Sequence, residues 1–313
     1  MKVIFMGTPN FAAQALEALV QAGHEVGYVI SQPDKAKDRG KKLQPTPVKE
    51  TALKYGLEVL QPESVRQNQT LLHLFRAYEP DVAVVVAYGR IIPVEYLNIP
   101  KYGTVNIHGS LLPRHRGASP VQGAILAGDA QTGVTLMYVE QGLDTGAMIA
   151  KAETPVGRKN CAALMEELSA LGAALLIEQM KHIEDWRQNA IPQDDALATH
   201  TGIISKKDGE IDFDKSPAET ERMIRAFDPW PGAYTYLNGD PFKIWKAEVL
   251  NRKSDLPPGT VATVNEKGIE ISAGGGILIA EVVQVPGKKR MAAAEFLRGY
   301  KLTEGVRFGK TGG

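Results

Sequence analysis

The densest set of chemically capable side chains in this sequence begins at residue 106. Asn106 and His108 stand two apart in the run Asn106-Ile107-His108-Gly109-Ser110-Leu111-Leu112-Pro113. In an extended strand, residues two apart share a face, so a carboxamide and an imidazole point at one spot. Such a pair suits the oxyanion that develops when a nucleophile adds to a carbonyl carbon. A buried structural Asn–His pair fits the same spacing. The following stretch, 111–120, is a loop stiffened by Pro113 and Pro120. Its apolar side chains and backbone donors could cradle a flat heterocycle; the alternative is a surface connection with exposed Arg114 and Arg116. A second cluster, Gly142-Leu143-Asp144-Thr145-Gly146, holds a carboxylate in a tight turn. In isolation such an Asp is a turn residue. Beside His108 it would favour the imidazolium. It could also accept a proton, directly or through a water, from an attacking amine.

These residues need a scaffold that brings them together. Short apolar runs at 3–6, 26–31, 57–60, 82–87, 104–108 and 134–139 alternate with helical spacing at 11–22 and 47–55. Val82-Ala83-Val84-Val85-Val86-Ala87 is apolar on both faces, as a central strand of a parallel sheet requires. The alternation predicts a doubly wound α/β sheet. Ligands bind at the carboxyl ends of strands in such sheets, and His108 and Asp144 are each expected at one. A long helix is expected over 162–183. Residues 189–205 are polar and aperiodic, and read as a linker. After a helix at 217–226 come short runs at 233–237, 242–250, 261–264, 268–272 and 277–285, separated by Gly, Pro and Asn. They predict a small antiparallel barrel or sandwich, with an OB-type barrel the natural candidate and an SH3-like barrel inseparable from it by spacing. The division is then 1–188 for a catalytic domain, 189–205 for the linker and 206–313 for a second domain.

Composition narrows the class. The 313 residues are 43% hydrophobic and 23% charged, with zero formal net charge, an ordinary globular mixture. Any nucleic-acid contact must therefore come from local basic patches. Two are visible. Lys35-Ala36-Lys37-Asp38-Arg39-Gly40-Lys41-Lys42 packs five positive side chains into eight residues, either a polyanion contact or a solvated charged loop. Lys288, Lys289, Arg290, Arg298, Lys301, Arg307 and Lys310 face only Glu295 and Glu304 near the C-terminus. A single cysteine, Cys161, excludes an intramolecular disulfide and opens an apolar helical stretch, where packing is expected. The N-terminus turns too soon for a signal peptide, and no apolar run approaches the roughly 20 residues of a membrane span; a cytoplasmic protein is expected. Gly7-Thr8-Pro9 ends the first strand without G-x-G-x-x-G, against an NAD-dependent dehydrogenase.

Taken together, the 106–113 run and the 142–146 turn resemble the folate-dependent formyltransferases, whose hallmark is an Asn and a His two apart, then Ser-Leu-Leu-Pro, then an Asp in a Gly-rich turn. The resemblance implies a Rossmann-like formyltransferase domain followed by a small OB-type β-barrel domain. It implies 10-formyltetrahydrofolate as formyl donor, with Asn106 and His108 holding the tetrahedral oxyanion and Asp144 assisting proton transfer. Ser110, Leu111, Leu112 and Pro113 would line the folate site, with no metal. Further stretches are similar to members of this family that formylate methionine on charged initiator tRNA. These are residues 4–12, the 32–49 segment with its basic run, and Phe227-Asp228-Pro229-Trp230-Pro231-Gly232-Ala233. In that reading Arg39, Lys41 and Lys42 contact tRNA and the chain works as a monomer. Trp230, between two prolines, is expected to pack. The nearest rival acts on an amino sugar nucleotide; glycinamide ribonucleotide, hydrolysis of the donor and non-catalytic RNA binding are others. His115 and Ala147 depart from the family pattern at positions expected to lie off the chemistry.

Overall fold

The computed structural model describes residues 1–37 and 42–309. In chain order the first elements are β1 (Lys2–Gly7), α1 (Asn10–Gln21), β2 (Glu25–Ile30), β3 (Lys35–Lys37), β4 (Lys42–Gln44), α2 (Pro47–Lys54) and β5 (Val59–Leu60). Then come α3 (Gln69–Tyr78), β6 (Val82–Val86), α4 (Val94–Leu97), β7 (Thr104–His108), β8 (Arg116–Gly117), α5 (Pro120–Ala127), β9 (Gln131–Tyr138), β10 (Met148–Pro155) and α6 (Cys161–Met180). The rest are α7 (Trp186–Asn189), β11 (His200–Thr201), α8 (Pro217–Ala226), β12 (Tyr234–Leu237), β13 (Asp240–Lys253), β14 (Val261–Asn265), β15 (Gly268–Ala273), β16 (Gly276–Gln284), β17 (Met291–Ala292) and α9 (Ala293–Gly299). The chain divides into two compact units. Met1–Pro120, Gln131–Pro155 and Met165–Thr201 form the first, and Val121–Ala130, Val156–Leu164 and Gly202–Gly313 the second.

The first unit is built on a seven-stranded sheet in the order β10-β9-β7-β6-β1-β2-β5. β5, β2, β1, β6 and β7 run parallel. Counting these parallel strands alone in chain order, they stand 3-2-1-4-5 across the sheet, the first five strands of the Rossmann-like order, which reverses between β1 and β6. All five residues of β6 are buried, which is why its sequence is apolar on both faces. The sheet departs from the expected parallel one at a single strand. β9 is antiparallel to both β7 and β10, so the sheet is mixed. β10 escapes prediction because it is an edge strand with one buried residue and no apolar run.

Helices form where the sequence supplies both a face and a cap. On α1 the buried residues Ala12, Ala15, Leu16 and Leu19 recur at helical spacing and make one apolar stripe. α2 has Pro47 in its first turn, and the Thr46 side chain accepts from the Lys49 N–H. Asn68 caps α3 in the same way through Leu71. Leu71, Leu72 and Phe75 of α3 join Ile4, Met6 and Tyr88 in the core beneath the sheet.

The second unit is a six-stranded antiparallel sheet, β12-β13-β16-β15-β14, with β17 added against β16. Phe242 is its packing centre, in ring contact with Phe296 and Phe308 and buried with Ile244, Ile271 and Leu278. α8 begins at a full capping box. The Ser216 hydroxyl accepts from Glu219 N–H, and the Glu219 carboxylate accepts from Ser216 N–H. Cys161 is buried, and burial first, then the Asp228 carboxylate, pushes its thiol up to about 12. That is a packing thiol, as the apolar stretch around it predicted. Trp230, expected to pack, is instead 51% exposed.

Candidate active site

His108 closes β7 and is 6% exposed. Its Nε2 lies 2.9 Å from the backbone carbonyl of His115. A carbonyl only accepts, so Nε2 carries the proton and donates. The other ring nitrogen, Nδ1, faces Asp144 Oδ2 at 3.7 Å, an ion-pair distance too long for a direct hydrogen bond. Asn106 lies two residues earlier on the same strand, half-buried between buried Val105 and Ile107. The structure therefore brings Asn106, His108 and Asp144 into one neighbourhood within the first unit.

Asp144 arrives by a different route from the one its sequence position suggested. β9 is antiparallel to β7, with Val105 opposite Tyr138 and His108 opposite Thr135. The carboxyl end of β9 therefore lies beside the start of β7, not beside His108. The connection between β9 and β10 turns back and returns the carboxylate to the imidazole. That turn is tight. A Cβ at Gly146 would sit 1.9 Å from the Tyr138 carbonyl, so only glycine fits. Asp144 itself is left-handed, with φ of 54°. Its carboxylate is anchored from outside the turn, because Gly117 N–H donates to Oδ2 at 2.8 Å.

The 110–118 segment is held as firmly. The Ser110 hydroxyl donates to the Arg114 carbonyl at 2.6 Å. Thr135, fully buried on β9, makes two bonds to the segment. Its hydroxyl donates to the Ser110 carbonyl at 2.7 Å and accepts from Leu112 N–H at 3.1 Å. Lys151 Nζ donates to the Leu112 carbonyl. Leu112 and Ser110 are buried, while Leu111 and Pro113 keep half-exposed surface. Arg114 is exposed, as a surface connection would have it, but Arg116 is only 3% exposed. It donates to Gln193 Oε1 at 3.0 Å and to Asp195 Oδ1 at 2.7 Å. His115, expected off the chemistry, reaches His108 through its backbone carbonyl.

Residues 189–205, read as a linker, contribute much of this bonding. β11 pairs with β8, and His115 N–H and Arg116 N–H donate to Thr199 Oγ1 and to the Thr199 carbonyl. Gln193 donates to the carbonyls of Asp144 and Gly146. Of the residues sequence reasoning passed over, Thr135 carried a signal, as a polar side chain inside the apolar run Val134-Thr135-Leu136-Met137. Gln193 and Thr199 carried none, sitting in an aperiodic polar stretch.

The 35–42 basic run begins in β3 and ends in β4. β3 and β4 pair as an antiparallel ladder, Lys35 opposite Gln44 and Lys37 opposite Lys42. Arg39 and Lys41 lie outside the described residues, as does the side chain of Lys42. At the base of this hairpin, Asp34 bonds Lys49 and Gln61, and those bonds, Gln61 first, hold its carboxyl below the usual carboxylate range. Among the described residues no three His, Cys, Asp or Glu side chains group as a metal-holding set, and no helix is long and apolar enough to cross a membrane.

Two family models match the chain. Residues 1–180 match the formyl transferase model, and residues 203–301 match the formyl transferase C-terminal domain. The chain belongs to the formyltransferase family. Relatives within it match end to end. The methionyl-tRNA formyltransferase of Agathobacter rectalis is 47% identical over 98% of this chain and 99% of its own. That of Lachnospira eligens is 42% identical over 99% of this chain and 100% of its own. Among solved structures, the sugar 3N-formyltransferase WlaRD superposes with a TM-score of 0.65 at 20% identity, covering 92% of this chain and 99% of that one. At that identity the likeness speaks for the formyltransferase fold alone.

Proposed function

We propose that this chain transfers a formyl group from 10-formyltetrahydrofolate to the α-amine of methionine on charged initiator tRNA, priming translation. The full-length identity of 47% to a methionyl-tRNA formyltransferase carries the choice of acceptor. The Asn106, His108 and Asp144 cluster carries the chemistry.

The amine attacks the formyl carbon as the free base, which the neighbouring ester makes accessible near neutral pH. Negative charge then builds on the formyl oxygen. The Asn106 carboxamide and His108 Nδ1 stabilise it. Because the Nε2 proton is committed to the His115 carbonyl, Nδ1 donates only from the imidazolium. The Asp144 carboxylate, 3.7 Å from Nδ1, accepts the proton from the attacking amine, directly or through a water. The intermediate collapses as the leaving folate nitrogen takes up the proton Asp144 had accepted, so that tetrahydrofolate leaves as the neutral amine and the Asp144 carboxylate is restored.

The donor's flat ring sits against the Ser110, Leu111, Leu112 and Pro113 loop. Leu111 and Pro113 supply its free apolar surface. Arg39, Lys41 and Lys42 contact tRNA phosphates. Residues 1–188 act as the catalytic domain and 189–205 as the connection. Residues 206–313, with their antiparallel sheet, act as an OB-type barrel that binds tRNA. The protein works in the cytoplasm as a monomer, because the tRNA must lie across both domains of one chain.

Formylation of charged initiator tRNA is the test. Asn106→Ala and His108→Ala should each lower kcat by about a hundredfold or more, the usual loss for one oxyanion donor, with amino sugar nucleotide and glycinamide ribonucleotide unreactive. Near wild-type rates in folded variants would remove these residues from the site. Transfer to an amino sugar in place of tRNA would overturn the acceptor.

A further inference from the structure

We infer that Gln193 is a positioning residue for formyl transfer, acting through Asp144. The inference rests on the proposed reaction. Gln193 lies just after Ile191, which bridges to Met148, and before a short turn at Asp195–Leu197. Its amide nitrogen donates to the Asp144 carbonyl at 2.7 Å and to the Gly146 carbonyl at 2.9 Å. Its amide oxygen accepts from Arg116 Nε at 3.0 Å. Arg116 is followed by Gly117, whose N–H donates to the Asp144 carboxylate at 2.8 Å.

These bonds close a ring. It runs from the Asp144 backbone through Gln193 and Arg116 to Gly117, and back to the Asp144 side chain. Asp144 is thus held at both ends, by its carbonyl and by its carboxylate. The same segment fixes the histidine, because the His115 carbonyl, one residue before Arg116, accepts from His108 Nε2. Gln193 therefore sets the carboxylate and the imidazole in one frame.

The side-chain type fits the task. A residue with φ of 54° that is not glycine persists only when its surroundings hold it there. Two donors aimed at the carbonyls of Asp144 and Gly146 do so. Arg116 needs an acceptor on the same group. A primary amide offers two donors and an acceptor in one plane. Glutamate would set a carboxylate against two carbonyl oxygens, and methionine would keep the length with no hydrogen bonds.

The test uses the full-length protein, with Gln193→Met, Asp144→Asn and the double variant. Hydrogen exchange at Gly117 N–H reads the ring without reference to any reaction. Gln193→Met should speed that exchange at least tenfold while far-UV circular dichroism stays unchanged. In formylation of charged initiator tRNA, Gln193→Met should lower kcat by roughly tenfold to a hundredfold, as a displaced reacting group does. Both KM values should stay within about twofold. The double variant should be no slower than Asp144→Asn alone. Multiplying losses in the double variant would overturn the inference, as would faster Gly117 exchange with unchanged kcat. Unchanged exchange would overturn it too. A wild-type protein that formylates no charged tRNA would instead sink the proposed function, while the exchange result would still report on the ring.

Discussion

Thr135→Val offers a sharp test of how the 110–118 segment is held. Valine matches threonine in shape, so the core packing of this fully buried side chain survives. What disappears is one hydroxyl with two bonds, donated to the Ser110 carbonyl at 2.7 Å and accepted from Leu112 N–H at 3.1 Å. Both partners belong to buried residues and are left without their acceptor or donor. An orphaned buried polar group costs about 1–3 kcal/mol. Two that relax together should cost about 2–4 kcal/mol, or roughly 4–16 °C in Tm for a domain of this size. Thr135→Ser is the control. It keeps both bonds and loses one methyl, about 1 kcal/mol. Calorimetry on the three proteins decides the matter. If the serine variant is the less stable of the two, packing and not the hydroxyl holds the loop, and the reasoning fails. The formylation assay adds a second reading, in which the valine variant raises the KM for the folate donor and the serine variant does not.

Two more outcomes follow from single residues. An unperturbed thiol titrates near 9 and Cys161 only at about 12, so at pH 8 the native protein holds roughly a thousandth of the usual thiolate; alkylation should be at least that much slower than in urea. The sign for stability is set as well. Above pH 9 the unfolded chain loses this proton first, so the wild type should lose stability as pH rises from 9 towards 12, and Cys161→Ala should lose less. Gly117→Ala would put a Cβ 2.2 Å from the Thr201 carbonyl at a φ of 108°. The β8–β11 pair must then part, the Gly117 N–H must leave Asp144, and kcat should fall with the thermal midpoint; a stable, fully active variant would refute that coupling.

What the sequence made legible was whatever local spacing or composition controls. The five parallel strands show as apolar runs because β6 and its neighbours are covered on both faces. The C-terminal strands show because Gly, Pro and Asn separate them. Asn106 and His108 show because a strand puts alternate residues on one face. β10 did not show, since an edge strand needs no apolar run. Asp144 was expected near His108 for a partly mistaken reason. Its strand was read as ending beside His108, and the antiparallel β9 ends at the other side of β7. Only the return of the turn, forced by Gly146 against the Tyr138 carbonyl, restores the meeting.

The remaining part of the site was illegible for a specific physical reason. Asn106 and His108 are placed by one strand, but Asp144 depends on partners 27 and 49 residues away, Gly117 and Gln193. Hydrogen bonds of that separation leave no period and no local composition. The polar stretch 189–205 looks like a linker because side chains such as Gln193 and Thr199 bond distant groups of the chain instead of packing in a core. A chain must fix a left-handed aspartate to keep a carboxylate at a histidine. It can do so only with donors and acceptors brought in from elsewhere. An aperiodic run of Gln, Asp and Thr that ends a compact unit is therefore as consistent with such bracing as with a tether, and only the hydrogen bonds distinguish them.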